Sequence, residues 1–87
     1  MENLHPKYFR TYNTALSSYL YSLGFKLFDI EYDDDGKATF VFQNDSEKLM
    51  QHVRAFQTCQ AEGNIIAYED ARKRFTRIVK NKLPWIP

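Results

Sequence analysis

The most constraining feature is a pair of alternating runs around an acidic glycine turn. Phe28, Ile30 and Tyr32 alternate with Asp29, Glu31 and Asp33, and after Asp34-Asp35-Gly36-Lys37 the residues Ala38, Phe40 and Phe42 alternate with Thr39 and Val41. A period of two is the signature of a half-buried strand, and two such runs joined by a short turn make an antiparallel hairpin. Its register follows from chemistry. A two-residue Asp35-Gly36 turn would pair Tyr32 with Thr39 and put the phenylalanines on the same face as Asp29 and Glu31. A three-residue loop, Asp34-Asp35-Gly36, pairs Phe28 with Phe42, Ile30 with Phe40 and Tyr32 with Ala38, and sets Asp33 opposite Lys37. It also gives Gly36 the positive-φ bulge position that this loop type requires. The second register is predicted, because it makes one face aromatic and the other polar.

Three amphipathic helices are predicted around this hairpin. From Tyr12 to Leu23, the residues Ala15, Leu16, Tyr19, Leu20 and Leu23 form one stripe of helical period, with Thr11 or Asn13 as N-cap. Gly24 ends the helix as a left-handed C′ residue, letting Phe25 fold back on Leu20. Asn44 and Asp45 cap a second helix from Ser46 to about Gln60, on which Leu49, Val53, Phe56 and Gln60 lie in line with Met50 and His52 flanking. Glu62-Gly63-Asn64 breaks it, and Ile65-Ile66 read as an extended or tight connection. The last helix starts near Tyr68, with Glu69 and Asp70 in its first turn and basic residues after them, the favourable order for the helix dipole. Its stripe is Tyr68, Ala71, Phe75, Ile78 and Val79, and Pro84 stops it.

The expected architecture is therefore α+β, a single domain over residues 1–87 in the order α-β-β-α-α. The antiparallel hairpin carries its helices on one face, residues 1–10 are extended, and residues 84–87 form a tail. With 87 residues the core is thin, but 14 of them are Phe, Tyr or Trp, and each ring removes a large area from water. A lone hairpin leaves two open edges. A third strand from residues 7–10 or 64–67 could cover one, or two protomers could pair edges as a homodimer.

Catalytic patterns fail on geometry. His52 and Cys59, seven residues apart on one predicted helix, sit about 10.5 Å apart along its axis, too far for the roughly 2.6–3.2 Å bond between a nucleophile and its base. They read better as an interfacial histidine and a half-buried cysteine. His5, His52 and Cys59 match no metal-ligand spacing. Asp33-Asp34-Asp35-Gly36 resembles a calcium-loop fragment, but an EF-hand spreads its ligands over about twelve residues, so a solvated hairpin tip is the better reading. An enzymatic reading would need a tertiary cluster of residues such as Tyr21, His5 and Asp29. The expectation is a protein that is not an enzyme and carries no cofactor and no metal.

Charge is the one unusual property. The net charge of +1 divides into residues 72–83, with Arg72, Lys73, Arg74, Arg77, Lys80 and Lys82 and no acid, and residues 1–71, with six bases against eleven acids. At about 100° per residue, Lys73, Arg77 and Lys80 point away from the Tyr68–Phe75–Ile78 stripe, with Arg74 beside them. Such a ridge can meet phosphates or an acidic protein surface. The candidate partner-binding residues are Lys73, Arg74, Arg77, Lys80 and Trp85. Trp85, in the tail Pro84-Trp85-Ile86-Pro87, would either complete the core, the preferred reading, or anchor another chain. The expected function is docking on a macromolecule, protein or nucleic acid. The alternative is a structural homo-oligomer assembled through the sheet edge and the tail. The longest apolar run, Ile65 to Tyr68, is too short to span a membrane, so no membrane partner is expected. The single Cys59 fits a reducing, cytoplasmic compartment.

The run from Tyr12 to Phe25, Tyr-Asn-Thr-Ala-Leu-Ser-Ser-Tyr-Leu-Tyr-Ser-Leu-Gly-Phe, followed by Thr39-Phe40-Val41-Phe42 and by Tyr68-Glu69-Asp70-Ala71 with Phe75 and basic residues, covers about residues 11–80. It resembles a small family of uncharacterised domains in bacterial and phage genomes. The shared pattern is a helix closed by glycine and an aromatic, a short acidic strand, an F-x-F strand, a helix and a basic helix. The resemblance implies a prokaryotic or phage intracellular setting and carries over no activity.

Overall fold

The computed structural model describes residues 7–44 and 47–86. The elements are β1 (Tyr8–Thr11), α1 (Thr14–Ser22), β2 (Leu27–Tyr32), β3 (Ala38–Gln43), α2 (Glu47–Gln57) and α3 (Ile65–Lys80). The predicted α+β arrangement with helices packed on an antiparallel sheet is present, preceded by one more strand. β3 is central, in the order β1-β3-β2. The added strand comes from residues 8–11, and the alternative segment, 64–67, opens α3 instead. The expected cap Asp45 and helix start Ser46 lie outside the described residues, as do residues 1–6 and Pro87.

The hairpin forms in the predicted register over most of its length. Ile30 pairs with Phe40 and Tyr32 with Ala38. At the tip, Asp33 N–H donates to the Lys37 carbonyl, Gly36 N–H donates to the Asp33 carbonyl, and Gly36 has φ +82°. Asp33 Oδ1 accepts from the amides of Asp35 and Lys37. The expected Phe28–Phe42 pair does not form. A bulge between Leu27 and Asp29 pairs Leu27 with Phe42, so Leu27 fills the core and Phe28 turns to the helix-free face, 49% exposed. One extra residue on one strand reverses which neighbour points inward.

Helix α1 is buried more fully than its stripe suggested, because it packs against both α2 and α3. Leu16, Tyr19 and Leu20 are inaccessible, and so are Ser17 and Ser18. The serines fit because their hydroxyls donate to the carbonyls of Asn13 and Thr14, four residues back. Asn13 is the N-cap, its Oδ1 accepting from Leu16 N–H at 3.1 Å.

All three helices close with the same pair of bonds. In α1, Phe25 N–H reaches Leu20 O and Gly24 N–H reaches Tyr21 O; in α2, Gln60 reaches Ala55 and Cys59 reaches Phe56; in α3, Leu83 reaches Ile78 and Lys82 reaches Val79. This is the Schellman arrangement, which places the C′ residue in left-handed conformation. Gly24 takes it as predicted, with φ +98°. Cys59 and Lys82 take it at φ +61° and +51°. Helix α2 therefore ends at Gln57, and Gln60, expected on its buried line, is exposed. Cys59 is exposed rather than half-buried.

Helix α3 starts three residues earlier than predicted. Asn64 caps it, Oδ1 accepting from Ile66 and Ala67 amides at 2.9 and 3.0 Å, and that satisfaction of free first-turn amides draws Ile65-Ile66 into the helix rather than into a connection. Ala71 and Phe75 are buried as expected, with Tyr68, Ile78 and Val79 packed against the core. Phe75 is the hub, touching the rings of Phe40, Tyr21 and Trp85. The end of α3 is pinned to the sheet by Tyr32, whose hydroxyl donates to Leu83 O at 2.6 Å and lies 3.3 Å from Ile78 O.

A candidate anion-binding surface on the last helix

Sixteen residues of α3 lie across the core with one face inward, so helical periodicity alone dictates what faces out. Arg72, Lys73, Thr76, Arg77, Lys80 and Asn81 line one open groove along the exposed side, with Glu69 at its N-terminal end. From Lys73 to Lys80 the ridge runs about 10.5 Å along the axis. Among the described residues, none of Arg72, Lys73, Arg77 or Lys80 forms an ion pair, whereas Arg10 pairs with Glu31. Mutually repelling cations without carboxylate partners create a positive field that a polyanion relieves.

The other two cations of the basic segment stand apart from the ridge. Arg74 is turned aside from the ridge: its guanidinium stands 4.9 Å from the Trp85 ring centre and 5.8 Å from that of Tyr21, and Nη1 donates to the Tyr21 hydroxyl at 3.1 Å. Lys82 lies across the hairpin tip. A Cβ on Gly36 would come within 2.7 Å of its Nζ, beside the Asp33–Asp35 acids of the turn.

Trp85 completes the core. It is half-buried against Phe75 and Tyr21, at ring-centre distances of 5.9 and 5.7 Å, and its Nε1–H donates to Leu27 O at 3.0 Å. The structure thus brings Arg74 and Trp85 together and separates both from the Lys73–Arg77–Lys80 ridge. Sequence reasoning missed Arg72 and Thr76, although the same helical spacing that selected Lys73 and Lys80 places them on the groove.

Chemically, the groove offers four cations, one hydroxyl, one side-chain amide and, at its N-terminal end, the carboxylate of Glu69. Tyr21 is held by Arg74, and Asp29 Oδ1 accepts from Ile30 N–H, so the two described members of the conjectured catalytic trio are engaged separately; His5 lies outside the described residues. His52 sits edge-on to Phe25 and Tyr19, the interfacial role expected for it. Among the described residues no group of three His, Cys, Asp or Glu side chains could hold a metal, and no helix is long and apolar enough to cross a membrane. Among the described residues no strand pairs with the outer edge of β1 or β2, and that of β2 is interrupted by its bulge and by the indole on Leu27 O.

No curated protein and no solved structure matches the chain. A family does, over residues 6–83, which takes in every strand and helix and the whole basic ridge. The chain belongs to the family described as a domain of unknown function, DUF5659.

Proposed function

We propose that this domain is a non-enzymatic docking module that binds the phosphate backbone of nucleic acid through the exposed side of α3. The observation that carries the reading is the set of four cations, Arg72, Lys73, Arg77 and Lys80, on one groove with no ion-pair partner among the described residues. Phosphate contacts need cations, hydroxyls and amides, and Thr76 and Asn81 supply the last two. A protein interface needs in addition a desolvated aromatic or apolar anchor at its centre, and the groove lining includes no aromatic side chain. That difference favours nucleic acid over an acidic protein. Self-association through the sheet edge and tail draws less support, because Trp85 is committed to Leu27 O and a bulge interrupts β2. The reading presumes a reducing cytoplasm, in keeping with one exposed free thiol at Cys59.

The test is a Lys73→Ala/Arg77→Ala/Lys80→Ala variant titrated against labelled DNA and RNA by fluorescence anisotropy. The expected result is at least a tenfold loss of affinity at low salt with an unchanged melting temperature. Equal affinity of variant and wild type would overturn the assignment.

A further inference from the structure

The sheet has a second exposed surface, on the side away from the helices. Register places Tyr8 and Arg10 of β1, Thr39, Val41 and Gln43 of β3, and Asp29 and Glu31 of β2 on this face, and the bulge adds Phe28. Two bridges cross over the central strand. Arg10 Nε meets Glu31 Oε1 at 3.5 Å, and the rings of Tyr8 and Phe28 approach to 4.9 Å between centres, tilted 37°. Val41 lies on this same face yet is only 1% exposed. A phenylalanine that leaves the core through a bulge to stand in solvent needs a reason, because burying its ring elsewhere would be worth about 2 kcal/mol or more.

The charges around these rings vary along the strands. Glu31 lies toward the hairpin tip, paired with Arg10, while Asp29 follows Phe28 at the bulge and accepts from the Ile30 amide through Oδ1. The rings stand at the end away from the tip. There Gln43 N–H donates to the Lys26 carbonyl and Asn44 N–H to the Lys7 carbonyl, which sets the exposed Lys7 and Lys26 on either side of the Tyr8–Phe28 pair. Neither lysine forms an ion pair among the described residues. Lys26 also lines the groove shared with Tyr21, Phe25, Arg74 and Trp85, which joins this end of the sheet to α3.

We propose that the helix-free face is a stacking platform for unpaired bases of single-stranded nucleic acid, with Tyr8 and Phe28 taking base faces and Lys7 and Lys26 taking the adjoining phosphates. Exposed rings framed by cations are how sequence-tolerant single-strand sites are built. A duplex keeps its base faces stacked internally and has none to offer. A protein partner fits less well, since register places Gln43, Arg10 and Asp29 next to the two rings, with Val41 as the one apolar neighbour on the central strand, rather than the apolar area an interface core requires. The proposal takes its ligand class from the nucleic-acid reading of α3 but stands on different residues.

The experiment compares three labelled probes of about twelve nucleotides: a single strand bearing thymine or uracil, an abasic strand of equal phosphate number, and a duplex. Each is titrated with the intact chain, with the ridge variant above, and with Tyr8→Leu/Phe28→Leu, which keeps an apolar cover over Val41. Stacking contributes about 5- to 150-fold for each base engaged. The wild type is expected to prefer the base-bearing strand over the abasic one by at least tenfold, and over the duplex. Tyr8→Leu/Phe28→Leu should erase that preference, while the ridge variant weakens every probe and keeps it. Equal binding of abasic and base-bearing strands by the wild type overturns the proposal without need of any variant. So does a preference for duplex, a preference that survives in the leucine variant, or no binding of any strand. A base preference that persists while the ridge variant matches wild type supports the platform and removes the α3 reading instead.

Discussion

Three helix ends with identical hydrogen bonding but different C′ residues form an internal experiment. Gly24 sits at φ +98° with nothing within 4 Å of where a Cβ would be, Cys59 at φ +61° is exposed, and Lys82 sits at φ +51°. A residue with a Cβ loses about 1–2 kcal/mol in left-handed conformation. Glycine escapes that strain but gives up about 0.5–1 kcal/mol through the greater freedom of its unfolded chain. Cys59→Gly should therefore stabilise the fold by about 0.5–1 kcal/mol, since no other contact of the side chain is lost. For a domain of this size that is a rise in melting temperature of about 2–8 °C. Cys59→Ala retains the Cβ and should stay within about 0.5 kcal/mol of wild type, and Gly24→Ala should destabilise by about 1 kcal/mol although it meets open space. Thermal melts followed by circular dichroism, with urea unfolding to confirm an unchanged slope, read all three. If Cys59→Gly melts at or below the wild-type temperature while Cys59→Ala is neutral, the left-handed strain assigned to these ends is refuted.

Two further predictions concern what holds α3 in place. Tyr32→Phe removes the hydroxyl that binds Leu83 O and should lower stability by about 0.5–1.5 kcal/mol. Burial raises the Tyr32 hydroxyl above its ordinary range, so above pH of about 10 the unfolded chain ionises first. The advantage of wild type over Tyr32→Phe should hold below that pH and shrink as pH climbs through the folded-state value, measured by urea unfolding of both proteins. Trp85→Phe keeps a ring against Phe75 but loses the bond to Leu27 O and the flat surface over which Arg74 stands. Destabilisation of about 1–2 kcal/mol is expected, and Arg74→Ala should then cost less in the Trp85→Phe background than in wild type, a coupling that a double-mutant cycle measures.

What the sequence disclosed follows the range of the forces involved. Ile30–Phe40 and Tyr32–Ala38 were legible because alternation and turn length act over a few residues, and Lys73, Arg77 and Lys80 because helical spacing does too. Phe28 was misassigned because a single inserted residue reverses the alternation and leaves no compositional trace. The ends of α2 and α3 were blurred for a related reason: Cys59 and Lys82 occupy positions that glycine normally advertises. Ser17 and Ser18 lie outside the predicted apolar stripe, and the i−4 carbonyls that take their hydroxyls explain their burial. Pairings between segments distant in sequence were invisible. Arg74 beside Tyr21 and Trp85, and Tyr8 beside Phe28, depend on the packed fold, and they redistribute the candidate surface between a cationic groove and an aromatic platform.

The salt dependence of binding tests the central claim most directly. Each phosphate neutralised contributes about −0.7 to −0.9 to the slope of log affinity against log salt for single strands and duplexes respectively. Removing Lys73, Arg77 and Lys80 should therefore flatten the wild-type slope by about 2 to 3. A triple variant whose slope equals that of wild type would mean that the exposed side of α3 does not touch phosphate.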